Sequence, residues 1–228
     1  MCTRNIGNAL IQDASSKNIA VDVISFIKTE PALKSEVLKE VQERSADFEA
    51  VIFTSSNAVE AIAMSLDLQK TKIFCIGHAT KRSVIKYFKE SSIAGFADNA
   101  KELAHTILNA NVKQVTFFCG DLRRDELPEL LKKKNIGVNE IIVYKTIITP
   151  QKIEKKYDGI LFFSPSAVKS FFEKNILDGQ TVLFAIGSTT ADKIRKFSKN
   201  KIVVSDVPDK TTLLNKAISY FQTNPIHH

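Results

Sequence analysis

Four short turns carry the residues best suited to holding an anion: Thr54-Ser55-Ser56, Gly77-His78-Ala79-Thr80, Ser164-Pro165-Ser166 and Gly187-Ser188-Thr189-Thr190. Each follows an apolar run and precedes an amphipathic stretch, so each marks the start of a helix after a strand. Helix N-termini expose unsatisfied N–H groups at the positive end of a dipole, and each favours an anion by about 0.3–1 kcal/mol at exposed sites. Glycine after the strand lets a ligand approach the backbone closely. The same hydroxyls cap helices whatever a protein does. At Ser56 and Ser166 the two readings stand level, whereas Ser55, Ser164, Thr189 and Thr190 are read as ligand contacts. Thr54, Gly77, His78, Thr80, Gly187 and Ser188 complete the binding set by position. Arg123 joins it because Arg123 and Arg124 follow Gly120 at the end of a strand, where a guanidinium can pair with carboxylates. Surface solvation is the alternative for one of the two. His78 has no visible carboxylate partner and receives no catalytic role; His105 receives none at all.

The elements that position these turns occur twice. Residues 48–59 read FEAVIFTSSNAV and residues 157–168 read YDGILFFSPSAV; residues 73–80 read IFCIGHAT and residues 183–190 read LFAIGSTT. A weaker echo pairs Lys101-Glu102-Leu103 with Thr211-Thr212-Leu213. Three blocks in one order at one spacing imply two copies of one α/β unit. Runs such as Ala50–Phe53 and Gly159–Phe163 have the character of buried parallel strands. Val59, Ile62 and Ala63, and in the second copy Val168, Phe171 and Phe172, fall at helical spacing. Strand, helix, strand, helix in succession predicts an α/β fold: two similar domains with parallel sheets flanked by helices.

Two further strands are predicted at Gln114–Cys119 and Asn139–Tyr144, the second running on to Thr149, with a helix over Asp125–Lys134 between them. An earlier strand over Ala20–Ile27 leads into Thr29-Glu30-Pro31. These extended stretches are natural crossings between domains, near residues 25–31 and 143–150. Residues 1–28 plus 149–228 then form one discontinuous domain, and residues 29–148 the other. Only Met1-Cys2-Thr3-Arg4 is left for a central first strand, so either that strand is very short or the natural start lies upstream. His227 and His228 are set aside as a tag remnant.

The formal charge of +7 suits an anionic partner. Lys132-Lys133-Lys134, the only tight basic run, sits at a helix end where cations complement the dipole. No aromatic–basic alternation or nucleic-acid motif accompanies the charge, so nucleic acid is not expected as a partner. No run approaches the roughly 20 apolar residues that span a bilayer, and no signal-type stretch opens the chain; a cytoplasmic protein without a membrane partner is expected. Cys2, Cys75 and Cys119 are odd in number and scattered, and read as buried free thiols, with no metal site. A triad, a GxSxG elbow and a P-loop are absent too, which leaves a non-catalytic module clamping a small polyanion as one reading.

The ordered set VIFTSSNAV, CIGHAT, FFCGDLRRDELPELL, EIIVYKT, ILFFSPSAVKSFF and AIGSTTADKI resembles the uroporphyrinogen-III synthase family over most of the chain, from about residue 48 to 220. The resemblance implies two α/β domains joined by a two-stranded β linker, with substrate in the cleft between them. It implies conversion of hydroxymethylbilane to uroporphyrinogen III, with loss of water and inversion of ring D through a spirocyclic intermediate. It implies no metal and no organic cofactor; a monomer is expected. Tyr144 falls where the family's tyrosine lies and becomes the catalytic candidate: loss of the terminal hydroxyl needs a proton donor, and a phenol keeps its proton at neutral pH. The alternative is a tyrosine packed beside the hinge with its hydroxyl on backbone. The chain departs from the pattern at its short first strand, which puts any role for Arg4 in doubt. It departs again at Phe163, where the first copy has Thr54, so the two halves contribute unequally.

Overall fold

Ala50–Phe53 and Gly159–Phe162, the apolar runs of the two repeats, are strands buried at every position, as parallel strands covered on both faces must be. The computed structural model describes residues 1–68 and 70–224; His227 and His228 lie outside them. In chain order its elements are α1 (Asn8–Ser16), β1 (Ile27–Pro31), α2 (Ser35–Glu43), β2 (Ala50–Phe53), α3 (Ser56–Ile62), β3 (Lys72–Ile76), α4 (His78–Phe88), β4 (Ile93–Ala97), α5 (Ala100–Asn109) and β5 (Gln114–Gly120). They continue with α6 (Glu126–Lys132), β6 (Gly137–Ile148), β7 (Gly159–Phe162), α7 (Pro165–Phe172), β8 (Val182–Ala185), α8 (Ser188–Arg195), β9 (Ile202–Val204) and α9 (Lys210–Thr223).

The chain divides into two compact units: Met1–Lys28 with Ile147–His228, and Thr29–Thr146. It passes from one to the other inside β1 and again inside β6, which are neighbouring strands.

The unit formed by residues 29–146 holds a sheet in the order β1-β6-β5-β2-β3-β4. Central β2 pairs in parallel with β3 and β5, Val51 facing Ile73 on one side and Thr116 on the other. Alternate side chains feed two cores. Phe53, Val59, Ile62, Val84, Phe88 and Phe118 fill the face under α3 and α4. Ile52, Phe74, Leu103, Ile107, Phe117 and Leu131 fill the face under α5 and α6. Every β2 side chain is therefore committed to one core or the other. That leaves no β2 side chain free for binding, and open α/β sheets place ligands at the loops after the strands.

The other unit repeats this order with a different chain path. Parallel β7, β8 and β9 form its sheet. The strand that β5 supplies in the first sheet is supplied here by Met1–Thr3. Cys2 bridges Val23 on one side and Leu161 on the other, both in parallel. Thr3 N donates to Leu161 O (3.0 Å), Leu161 N to Met1 O (2.8 Å) and Cys2 N to Asp22 O (2.8 Å). The central strand is thus three residues long. Of the strand expected over Ala20–Ile27, Val23 keeps a single bridge, because a three-residue neighbour offers no longer ladder, and Ile27 opens β1. Leu103 and Leu213, the ends of the weak third echo, are both fully buried, on α5 and α9 respectively.

The three cysteines are free and buried, and burial pushes each thiol up to about 11. They pack as small apolar side chains. No helix among the described residues is long and apolar enough to cross a membrane.

Candidate active site

Ser55 and Ser164 open the two equivalent helices, both in extended backbone (φ −153° and −163°). Ser55 Oγ accepts from Ala58 N (3.4 Å), and Ser164 Oγ from Ala167 N (3.1 Å) with Pro165 in the first turn. Capping therefore belongs to Ser55 and Ser164, while Ser56 and Ser166 lie inside the first turns of α3 and α7. The reason is conformational, since a cap needs extended backbone with its oxygen folded over the following N–H groups. Gly77 caps α4 without a side chain at φ 84°, a backbone conformation that glycine alone adopts freely. Gly187 holds the matching place before α8 in extended backbone. His78, Ser188 and Thr189 are at the surface, whereas Thr80 and Thr190 face inward at 4% and 3% exposure. In each helix, then, the first residue stands at the rim and the third is packed away.

In the unit of residues 29–146, a cavity of about 350 Å³ opens where the strands end, lined among others by Thr54, Ser55, Asp98, Gly120, Arg123 and Tyr144. Tyr144 Oη lies 3.0 Å from Ser55 Oγ, a hydrogen bond that either hydroxyl can donate. The phenol thus bonds to a side chain rather than to backbone, with Ser55 shared between it and the helix cap. A larger cavity in the same unit, about 620 Å³, is lined by Lys34, Val37, Glu40, Arg44, Phe48 and Ile142 among others. It contains none of the hydroxylic turns, so size does not identify the site here.

Arg123 is held on both sides. Its Nε donates to Glu140 on β6, and its Nη1 to Asp125 Oδ1 (2.8 Å). Glu140 also receives Lys132 Nζ at 3.2 Å. Burial pushes the Glu140 carboxyl upward, but hydrogen bonds from Arg123 and Lys132 outweigh burial and hold it below its ordinary 4.5. The Glu140 hydrogen bond likewise raises Arg123. A carboxyl lowered by folding contributes stability above its unfolded value and loses it as pH falls through the folded one. Glu140→Gln is therefore expected to destabilise by about 1–2 kcal/mol at pH 7, given the partly exposed partners. The gap to the parent should narrow from pH 7 to pH 3, as protonation of the carboxyl sets in. Urea unfolding at both pH values measures it, and an equal gap at both would contradict the assignment.

His78 does have a carboxylate neighbour: its Nε2 lies 3.7 Å from Asp98 Oδ1, which follows β4. Gly120, Asp98 and Glu140 are the site residues that sequence reasoning passes over. Only Gly120 carries a visible signal, a glycine ending a strand as Gly77 and Gly187 do. Among the described residues no group of three or more His, Cys, Asp or Glu side chains is placed to hold a metal ion. Thr54, Ser55, Arg123 and Tyr144 are brought together; Ser164, Ser166, Gly187, Ser188 and Thr189 belong to the other unit.

The family model described as uroporphyrinogen-III synthase HemD matches residues 8–215. A uroporphyrinogen-III synthase of Chlorobaculum parvum is 26% identical over 185 residues, covering 71% of this chain and 74% of its own. One from Saccharomyces cerevisiae is 29% identical over 201 residues, covering 76% and 71%. Among solved structures, a mutant uroporphyrinogen III synthase from Thermus thermophilus superposes with a TM-score of 0.65 at 14% identity, over 98% of each chain. Uroporphyrinogen-III synthetase from Helicobacter pylori gives 0.66 at 18% identity, over 87% of this chain and 92% of its own. At these identities the two structures speak to the fold, and the match over residues 8–215 speaks to the family. A repeated α/β unit crossed twice by the chain, with a phenol and a capping serine joined where one sheet ends, belongs with that match: this chain is a member of the uroporphyrinogen-III synthase family.

Proposed function

We propose that this chain closes the linear tetrapyrrole hydroxymethylbilane to uroporphyrinogen III, releasing water and inverting ring D, with Tyr144 as the proton donor. The observation that carries the placement is the 3.0 Å contact between Tyr144 Oη and Ser55 Oγ in the cavity after the strands. Departure of the terminal hydroxyl as water requires a proton at that oxygen, and a neutral phenol held at a fixed point can give one. Ser55 Oγ already accepts from Ala58 N and keeps its own proton for Tyr144 Oη, which supports the phenolate left behind. The substituted carbon of ring D bonds to the exposed methylene carbon and forms the spirocycle. The bond from that ring D carbon to its original bridging methylene then breaks, the freed methylene bonds to the unsubstituted α-carbon of ring D, and the proton lost from that carbon restores the one given at the start.

Carboxylate recognition falls to groups in each unit. Arg123, fixed by Glu140 and Asp125, has five N–H donors and spends two on those partners, leaving the rest for a substrate carboxylate. In the same unit Thr54 and His78, and in the other unit Ser166, Gly187, Ser188 and Thr189, are assigned to further carboxylates. Holding a flexible chain with its ends together supplies much of the acceleration, since proximity converts an improbable encounter into a unimolecular step.

The test is incubation with enzymatically generated hydroxymethylbilane followed by separation of the uroporphyrinogen isomers. The type III isomer is expected in excess over the uncatalysed control. Only the non-inverted type I isomer would leave a polyanion-binding module as the surviving reading.

A further inference from the structure

We propose that Gly120 is a positioning residue for the Tyr144 phenol, kept at glycine so that the ring can lie across the backbone where β5 ends; this rests on the role of Tyr144 given above. Two observations join here. The β5–β6 ladder is regular up to Cys119↔Ile142, then slips by one residue so that Gly120 faces Tyr144. A Cβ at Gly120 would stand 2.4 Å from Tyr144 Cζ, and 2.7 Å from both Cε2 and the hydroxyl oxygen itself. The space a methyl group needs is therefore filled by the reactive end of the phenol.

The two glycines of this unit's rim are glycine for opposite reasons. Gly77 has φ 84°, and a methyl group there would meet nothing within 4 Å, so its conformation demands glycine. Gly120 has no positive φ, and the three atoms nearest a Cβ there all belong to the Tyr144 phenol. Nor can Tyr144 step back along its own strand. Asp121 N donates to Tyr144 O (3.2 Å), Thr146 N donates to Asp121 Oδ1 (2.9 Å), and Arg123 N returns to Gly120 O (3.2 Å). The first two bonds tie the loop after Gly120 to Tyr144 itself and to Thr146 beyond it, and the third closes the loop on Gly120. A methyl group must therefore swing the ring about its own side-chain torsions. Ordinary carbon–carbon contact lies at roughly 3.5–4.0 Å, so the ring moves by about 1 Å or more. A hydroxyl–hydroxyl bond of 3.0 Å does not survive that shift, because useful O–H···O distances end near 3.0 Å.

The experiment is a double-mutant cycle between Gly120→Ala and Tyr144→Phe, read as kcat and KM on enzymatically generated hydroxymethylbilane. Gly120→Ala is expected to lower kcat about as far as Tyr144→Phe, on the order of 10²-fold, with KM moving much less. In the Tyr144→Phe background, Gly120→Ala should change kcat by less than about twofold, since no hydroxyl remains to be misplaced. Equal losses in both backgrounds would mean that Gly120 serves the fold alone, and would overturn the proposal. Tyrosine labelled with carbon-13 at the ζ position gives a second reading. Of the four tyrosines, the Tyr144 resonance should shift in Gly120→Ala while those of Tyr87, Tyr157 and Tyr220 stay. An unmoved Tyr144 signal overturns the packing claim whatever the kinetics do. A Tyr144→Phe variant with parental turnover, beside a shifted resonance, removes the phenol from the chemistry and with it the catalytic meaning of Gly120. Should Gly120→Ala fold poorly, Tyr144→Ala decides the matter: with the ring gone, adding Gly120→Ala should leave the melting temperature unchanged, and a further loss overturns the proposal.

Discussion

Phe53→Ala is expected to lower the unfolding free energy by about 3–5 kcal/mol, a large effect for one side chain. Phe53 ends the central strand β2 and is wholly buried. Its ring stacks on Phe118 at 5.7 Å with 20° between planes, and on Phe88 at 6.2 Å with 13°. Strands β3 and β5 grip β2 from both sides, so the backbone cannot collapse into the hole. The loss therefore combines the transfer energy of the ring with a cavity that stays open. Native domains hold only about 5–15 kcal/mol in total, so much of the margin disappears. The chain has no tryptophan, so urea unfolding is followed by far-UV circular dichroism and by the reactivity of Cys75, which lies in the same core. Both probes should shift together to lower urea. A loss below about 1.5 kcal/mol would show that α3 and α4 close over the gap, contrary to a rigid central strand.

That core is legible in the sequence because it rests on pattern. The runs AVIF and GILF, each ending in hydroxylic residues at the same spacing, announce strand and helix twice over, and buried parallel strands need little beyond apolar character. The parts that escape pattern are those whose partners are distant in sequence. Strand β4 holds Gly95, whose missing side chain makes room for Phe74 and Thr106, and a glycine inside a short run reads as a break rather than a strand. Without β4 there is no place for Asp98, and His78 then reads as lacking a carboxylate neighbour. Strand β9 is three half-buried residues, too short for any period to show. The central strand at Cys2 acquires meaning only from Val23 and Leu161 on either side. Within the site, Tyr144 and Ser55 lie 89 residues apart, and their meeting depends on a one-residue slip in a ladder. No periodicity announces such a slip, whereas the residue types at the ends of strands are what single out the candidate site.

Tyr144→Phe is the second large effect, and it should appear in rate rather than in stability. Phenylalanine keeps the ring over Gly120 and the packing against the α3–α4 core, to which Tyr144 contributes as a partly buried member. What disappears is one hydroxyl and one hydrogen bond, a change of about 0.5–1.5 kcal/mol in stability. Ser55 keeps its capping bond to Ala58, so the start of α3 is undisturbed. Turnover, by contrast, is expected to fall by about 10²-fold, the usual contribution of a positioned proton donor. Ser55→Ala separates the two roles of that serine. It removes the helix cap, which costs about 1 kcal/mol, and it takes the hydroxyl partner from the phenol while leaving the donor in place. Its turnover should therefore fall less than that of Tyr144→Phe. The product mixture adds an internal clock, because free hydroxymethylbilane closes spontaneously without inverting ring D. A hundredfold slower enzyme lets that reaction compete, so the type I fraction should rise in Tyr144→Phe and recover as enzyme concentration is raised. A rate within twofold of the parent, with the type I fraction unchanged, would take the proton from another group and leave Tyr144 as a packing residue at the end of the sheet.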